Sequence, residues 1–375
     1  MFPRFTHNIA SLAHYHPLHQ LHLYAPTPDI VSLSALLTQV LVWLKFLACL
    51  VIILFAGTKL ARYGDAIAEK TKLGRIWIGL VLLAGVTSAP ELITGVSSAT
   101  LVRLPDLALG TLLGSCMFNL TIIAVLDILH PHTSILNEVK LRHIASAGMV
   151  ILLMAIAGGS ILGGERFTGL ALGWVGISSI IILILYLAAM WGIFHFERKH
   201  FVPSPKGAAP QYEPASTKAL YLKFALAAAA VIGAGIWLSF IGDEIASTYT
   251  WTSSFVGSLF LAISTSMPEL AVCVAAFHLG AVDMAVADIL GANMLDTAHL
   301  FTVDIFYSQG PLLSSVSNAH LITIGITMTM SLLVIIGCRF RQKGKTRLAI
   351  SWYTPILIGL YIFGAYALFK GIGLG

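Results

Sequence analysis

The feature that most constrains this chain is a succession of apolar runs, each about as long as a bilayer is thick. Ten can be read, roughly 34–57, 75–101, 106–129, 143–163, 168–194, 219–241, 252–278, 283–307, 319–338 and 348–371. Only 10% of the residues are charged and 57% are hydrophobic, whereas a soluble domain carries about 25% charged residues. A surface facing water cannot be built from such a chain. The reading is an all-α polytopic membrane protein with ten transmembrane helices. Polar residues 1–33 precede the first run, and a segment at 195–217 holding four prolines separates the fifth run from the sixth. The chain divides into a His-rich tail (1–33), five helices (34–194), a linker (195–217) and five more helices (218–375).

Charge sets the orientation. Seventeen of the 22 Lys and Arg residues lie in the connections 1–2, 3–4, 5–6 and 9–10; Arg4, Arg103, Arg166 and Lys370 lie on the other side. Lys45, inside the first run, fits neither. Basic residues collect in cytoplasmic loops, so the linker is expected in the cytoplasm and both termini outside. The formal net charge of +5 is then a topology signal, and no nucleic-acid partner is expected. The tail's five histidines, His7, His14, His16, His19 and His22, have irregular spacing and no Cys or carboxylate beside them. They are read as a disordered tail or an over-extended start, ahead of a metal-loading segment. Cys49, Cys116, Cys273 and Cys338 all fall in apolar runs and read as small buried hydrophobes.

The two groups of five repeat each other. Gly64-Asp65-Ala66-Ile67-Ala68 returns as Gly242-Asp243-Glu244-Ile245-Ala246, and Thr87-Ser88-Ala89-Pro90-Glu91-Leu92 as Thr265-Ser266-Met267-Pro268-Glu269-Leu270, both 178 positions later. Asp106, Gly114, Asn119 and Asp127 match Asp283, Gly291, Asp296 and Asp304 at an interval of 177. Five is an odd number, so the second copy enters the membrane from the opposite face. Such an inverted repeat places a transporter's site at the repeat interface, near the midplane.

The repeated motif carries chemistry. A carboxylate within a membrane span is costly and marks function, and Glu91 and Glu269 each directly follow a proline. Pro90 and Pro268 cannot donate to the carbonyls of Val86 and Ser264, and irregular backbone at this depth is tolerated where it lines a cavity. Carboxylate, hydroxyl and carbonyl oxygens together suit hard cations such as Ca²⁺ and Na⁺. Thr111, Ser115 and Asn119 share one stripe of the third run, and Asp288, Ala292 and Asp296 share the matching stripe of the eighth. Gly110, Gly114 and Gly291 would allow close helix approach. Glu91, Asn119, Glu269 and Asp296 then converge. Their like charges need a cation or a proton. Asp127 and Asp304 read as interfacial, Asp65 and Asp243 as helix-start or loop residues. His299, three positions after Asp296, reads as a residue of another helix face rather than as a proton-coupling partner.

These motifs resemble those of the cation/calcium exchanger family, and within it the prokaryotic sodium/calcium exchangers. The family carries Gly-Thr-Ser-x-Pro-Glu on helices 2 and 7 and Gly-Ser-x-x-x-Asn/Asp on helices 3 and 8. Here these read Val86–Glu91, Ser264–Glu269, Gly114–Asn119 and Gly291–Asp296. The resemblance implies that Glu91 and Glu269 bridge Ca²⁺ and Na⁺. It adds hydroxyls from Ser88, Ser266 and Ser115, and backbone carbonyls from Thr87, Thr265, Ala84 and Ala262. Asn119 and Asp296 line the middle, with Asp296 protonated. It implies an antiporter rather than an enzyme, with no cofactor beyond the transported ions. It also implies an inner-membrane location and no obligate protein partner. Val86 and Ser264 depart from the family's glycines. Ala292 replaces a serine that would serve one Na⁺ site, and Asp288 adds a carboxylate one turn away. Ca²⁺/Na⁺ antiport is the first expectation; Ca²⁺/H⁺ antiport on the same fold is the alternative.

Overall fold

A computed structural model of the chain describes residues 28–71, 84–130, 133–140, 143–164, 166, 170–199, 217–340 and 350–372. The His-rich stretch from His7 to His22 lies outside the described residues, as does most of the linker. Residues up to Leu41 form one unit, helical from Pro28. Residues Val42–Gly375 form the second unit, which holds every feature below.

Among the described residues the helices are α1 (Pro28–Thr71), α2 (Ala84–Thr87), α3 (Ala89–Thr100), α4 (Pro105–Leu129), α5 (Ile135–Glu138), α6 (His143–Gly163), α7 (Ile177–Lys199), α8 (Thr217–Tyr249), α9 (Ser253–Thr265), α10 (Met267–His278), α11 (Val282–Phe306), α12 (His320–Arg339) and α13 (Tyr353–Phe369). A helix lies on each of the ten apolar runs. Among the described residues, five unbroken helices, on α1, α4, α6, α8 and α12, are long and apolar enough to cross a bilayer, and α9 with α10 makes a sixth span bent by 43°. The apolar stretches of α7 and α13 are shorter. Asp283, Asp288, Asp296 and Asp304 interrupt the apolar character of α11.

Three boundaries differ from the sequence reading. The start of the fifth run is a small antiparallel hairpin, Ala171–Leu172 against Val175–Gly176, turned by Gly173 at φ +68. Helices α1 and α8 continue past their apolar runs, so Asp65 and Asp243 lie within the last turns of those helices and not at helix starts. Lys45 is also accounted for. Its ammonium sits 2.7 and 2.9 Å from the two carboxylate oxygens of Glu244 on α8. This pair ties α1 to α8, as do Trp43 Nε1 donating to Tyr249 Oη at 2.7 Å and a stripe of Val42, Phe46, Cys49 and Ile53 against Ala234, Leu238 and Ile241. The stripe's three-and-four spacing is that of one helix face.

Helix α4 is central; 72% of its apolar window is buried, against 28% for α1. Gly110 and Gly114 make this possible. A Cβ on Gly110 would lie 2.9 Å from the carbonyl of Ser254, and one on Gly114 would run into the backbone of Ser258. There α9 contains a π-helical segment, Gly257–Leu261. The repeat-mate of Ser258 is position 80, outside the described residues, so the packing expected at Gly291 has no described partner.

The relation of the two repeats is visible in their polar contacts. Asp106, at the start of α4, meets Ser317 and His320 in the connection leaving α11. Asp283, at the start of α11, meets Lys140 and His143 in the connection leaving α4. Each helix begins where the other ends, so α4 and α11 run in opposite directions. Asp127 and Asp304, read as interfacial, are fully buried. Each accepts the backbone N–H eight residues on, from Ile135 and Leu312, and each reaches the other repeat's fifth helix. Asp127 takes Ser351 and Thr354 before and within α13, and Asp304 takes the N–H of Gly176 before α7.

Candidate functional site

Both Ser-x-Pro-Glu motifs break their helices at the serine and in the same way. Ser88 has φ −83 and ψ 10, Ser266 φ −86 and ψ 7. The proline removes one hydrogen bond, and the ladder resumes with Leu92 N to Ser88 O and Leu270 N to Ser266 O, both 3.2 Å. The glutamate then falls in the first turn of the new helix, where free N–H groups favour a negative side chain.

The motifs meet reciprocally. The Ser266 hydroxyl donates to Glu91 Oε1 at 2.9 Å, and the Ser88 hydroxyl donates to Glu269 Oε1 at 3.3 Å. Beside them Asn119 Nδ2 donates to Asp296 Oδ2 at 3.5 Å. Asn119 and Asp296 are repeat-mates, and so are Cys116 and Asn293, which exchange two bonds: Asn293 Nδ2 to the carbonyl of Cys116 at 3.0 Å, and Cys116 Sγ to the carbonyl of Asn293 at 3.6 Å. Equivalent residues of two inverted copies can touch only close to the axis that relates them. The four polar side chains therefore surround that axis.

Their remaining oxygens are unsatisfied. Glu91 Oε2, Glu269 Oε2, Asp296 Oδ1, Asn119 Oδ1 and Asn293 Oδ1 are buried without a hydrogen-bond partner. Buried polar atoms are normally paired, and an ionised carboxylate out of water needs a compensating charge. Among the described residues no Lys or Arg forms an ion pair with Glu91, Glu269 or Asp296. A group of oxygens left vacant around an axis is suited to a hard cation. Among the described residues no three His, Cys, Asp or Glu side chains stand close enough to chelate a metal on their own. Hydroxyl, amide and carbonyl oxygens would have to complete any shell.

The structure brings most of the expected residues here. Ser115 Oγ lies 3.3 Å from Thr265 Oγ1 and 3.5 Å from the carbonyl of Ala262. That carbonyl also accepts the N–H of Ser266 at 3.0 Å, so it is not freed by the break. Thr87 and Thr265 are fully buried. Ala84 opens α2, and its side chain lies outside the described residues. Asp288 lies between α11 and α10, with Cys273 Sγ 3.7 Å from its Oδ2. His299 is a correction: its Nδ1 is 3.9 Å from Asp296 Oδ1, because residues three apart share a helix face. Cys116 and Asn293 were not singled out by sequence; their interval of 177, next to Ser115 and Ala292, was the signal.

The sequence model of the family described as sodium/calcium exchanger protein matches residues 41–192 and again 219–371. This chain belongs to the sodium/calcium exchanger family. The two matched stretches start 178 positions apart, at 41 and 219, which is the interval of the Ser-x-Pro-Glu motifs. The exchanger is therefore a membrane-embedded cation antiporter and not an enzyme. It is 24% identical over 274 residues to the inner membrane protein YrbG of Escherichia coli, covering 70% of this chain and 78% of that protein. Its fold matches a sodium-calcium exchanger soaked with Na⁺ and Sr²⁺ at a TM-score of 0.56 and 20% identity, covering 87% of this chain and 98% of that one. It also matches native YfkE, at a TM-score of 0.63 and 20% identity, covering 90% and 96%.

Proposed function

We propose that this exchanger moves Ca²⁺ against Na⁺ by alternating access, with Glu91 and Glu269 as the shared carboxylates of one site. The observation that carries the proposal is the reciprocal Ser266–Glu91 and Ser88–Glu269 pairing, with the second oxygen of each carboxylate buried and unpartnered. One oxygen of each acid is held by the opposite repeat, and the other is aimed at an ion. Asn119 and Asp296 supply amide and carboxylate oxygens between them. Ser115, Thr87, Thr265, Ala262 and Ala84 contribute hydroxyls or carbonyls, and Asp288 a further negative charge. The two repeats are five helices each, joined by the 195–217 linker. The name of the Escherichia coli relative and the loop charge asymmetry support an inner-membrane location with both termini outside.

A second reading, Ca²⁺ against H⁺, rests on His299 beside Asp296 and on Ala292 in place of a ligating hydroxyl. Uptake of ⁴⁵Ca²⁺ into vesicles separates the two. The first reading expects uptake driven by an outward Na⁺ gradient. Uptake driven by an outward H⁺ gradient alone establishes the second, and no uptake under either gradient rejects Ca²⁺ as the substrate.

A further inference from the structure

Two aspartates that the ion site does not use form a symmetric arrangement with two histidines. Asp106 is the second residue of α4 and Asp283 the second of α11. His143 is the first residue of α6 and His320 the first of α12. His320 Nε2 lies 3.0 Å from Asp106 Oδ1, and His143 Nε2 lies 2.8 Å from Asp283 Oδ1. The backbone joins in. Ser317 N donates to Asp106 Oδ1 at 2.7 Å and Lys140 N to Asp283 Oδ1 at 2.9 Å. His320 N bonds to Ser317 O at 3.3 Å, and His143 N to Lys140 O at 3.2 Å. Every member has its counterpart 177 positions on (106 and 283, 140 and 317, 143 and 320), the interval that separates Asn119 from Asp296.

The placement gives these clamps their consequence. Each joins the start of an acid-bearing helix in one repeat to the start of a helix in the other. Because α4 and α11 run in opposite directions, the clamps sit at opposite ends of the core. Each imidazole is buried, with 0% of His320 and 4% of His143 side chain exposed, while Asp106 and Asp283 keep 33% and 26%. An ionised carboxylate only accepts hydrogen bonds, so Nε2 of each ring is the donor. The helices pinned this way are the ones that carry Asn119 and Asp296 to the axis.

We propose that His143 and His320 are positioning residues for ion exchange: His143 fixes the axial register of α11 and His320 that of α4, and with it the place of Asp296 and Asn119 on the axis. This rests on the ion site proposed above. Because the acceptor is an ionised carboxylate, each imidazole N–H makes a charge-assisted bond, roughly twice as strong as a neutral one. The groups facing His143 are Asp283 from α11, with Lys140 Nζ 3.7 Å from the same carboxylate and Cys338 of α12 close to it. Those facing His320 are Asp106 from α4 and the Ser254 hydroxyl from α9 at 3.3 Å. The charge count places the Asp283–His143 clamp at the cytoplasmic face and the Asp106–His320 clamp outside.

The test uses the full chain in vesicles of known orientation. His143→Gln and His320→Gln keep an N–H donor; His143→Leu and His320→Leu lose it. For ⁴⁵Ca²⁺ transport, each Leu variant is expected to raise KM about tenfold, the loss of one hydrogen bond to a charged group. Each Gln variant, which keeps the donor, is expected near the wild-type KM. Folded Leu variants with wild-type KM would overturn the positioning role. Gln variants that raise KM as far as the Leu variants would overturn the part played by the N–H donor. A thermal double-mutant cycle between His143→Leu and Asp283→Ala reads the clamp without reference to any transported ion. Non-additive unfolding temperatures support it, and strict additivity rejects it. If the wild type carries no Ca²⁺ while that cycle shows coupling, it is the transport reading that has failed.

Discussion

At the scale of single residues, the site is built from pairs whose members are held unequally. Ser266 is the closer partner, 2.9 Å from Glu91, while Ser88 is 3.3 Å from Glu269. Truncating Ser266 should cost more than truncating Ser88. Loss of a hydrogen bond to a charged acceptor is worth about 1.5–3 kcal/mol, or roughly tenfold and upward in KM for the carried ion. Transport kinetics of Ser266→Ala and Ser88→Ala check the order. Ala292, fully buried on the site stripe of α11, is the place to test the counter-ion. Ala292→Ser restores a hydroxyl and should lower the half-saturating Na⁺ concentration several-fold in Na⁺-driven uptake; an unchanged Na⁺ response would contradict the reading of this departure. The acids themselves were legible in sequence because a carboxylate after proline in an apolar run has no ordinary reason to be there. His143 and His320 were not. A histidine at a helix start looks unremarkable until its partner 177 positions away is seen to make the same bond.

At the scale of elements, the helix breaks and the doubled stripes could be read from proline, glycine and periodicity. The ends of α1 and α8 could not. Hydropathy stops where the apolar run stops, but the hydrogen-bonded ladder continues, and Asp65 and Asp243 were placed in the wrong local structure as a result. The π-helical segment of α9 is likewise invisible in composition, although Gly110, Gly114 and Gly257 hint at the close approach it permits. A Gly114→Val substitution puts a branched side chain into the backbone of Ser258. Overpacking of this kind costs about 1–3 kcal/mol or more and should lower the unfolding temperature in detergent, whereas Gly159→Val, where no described atom lies within 4 Å, should not. Asp127 gives a second check at this scale. It accepts the N–H groups of Ile135 and Ser351 as well as the side chains of Ser351, Tyr353 and Thr354. Asp127→Ala strands those donors, each buried unpaired group costing about 1–3 kcal/mol. It should destabilise the fold more than Asp304→Ala, which removes the bonds to Gly176 and Leu312.

At the scale of the whole molecule, the sequence interval and the geometry agree on one construction: two copies of one unit, inserted in opposite senses, sharing one polar centre on the axis between them. The interval was readable because two motifs keep it at 178 and four further residues at 177. The reciprocity was not readable, since nothing in a linear pattern says that Ser266 serves Glu91 rather than its own Glu269. Inversion with the linker in the cytoplasm, the orientation proposed above, predicts sided accessibility. A membrane-impermeant thiol reagent should label Arg103→Cys from outside only and Lys140→Cys from inside only. The central claim is that the two glutamates make one site and not two, and Ca²⁺ binding to the purified exchanger by isothermal titration tests it most directly. Wild type should bind, and Glu91→Gln and Glu269→Gln should each abolish binding while eluting as folded protein. Either single variant binding Ca²⁺ with wild-type affinity, at full or at half stoichiometry, would contradict a shared site.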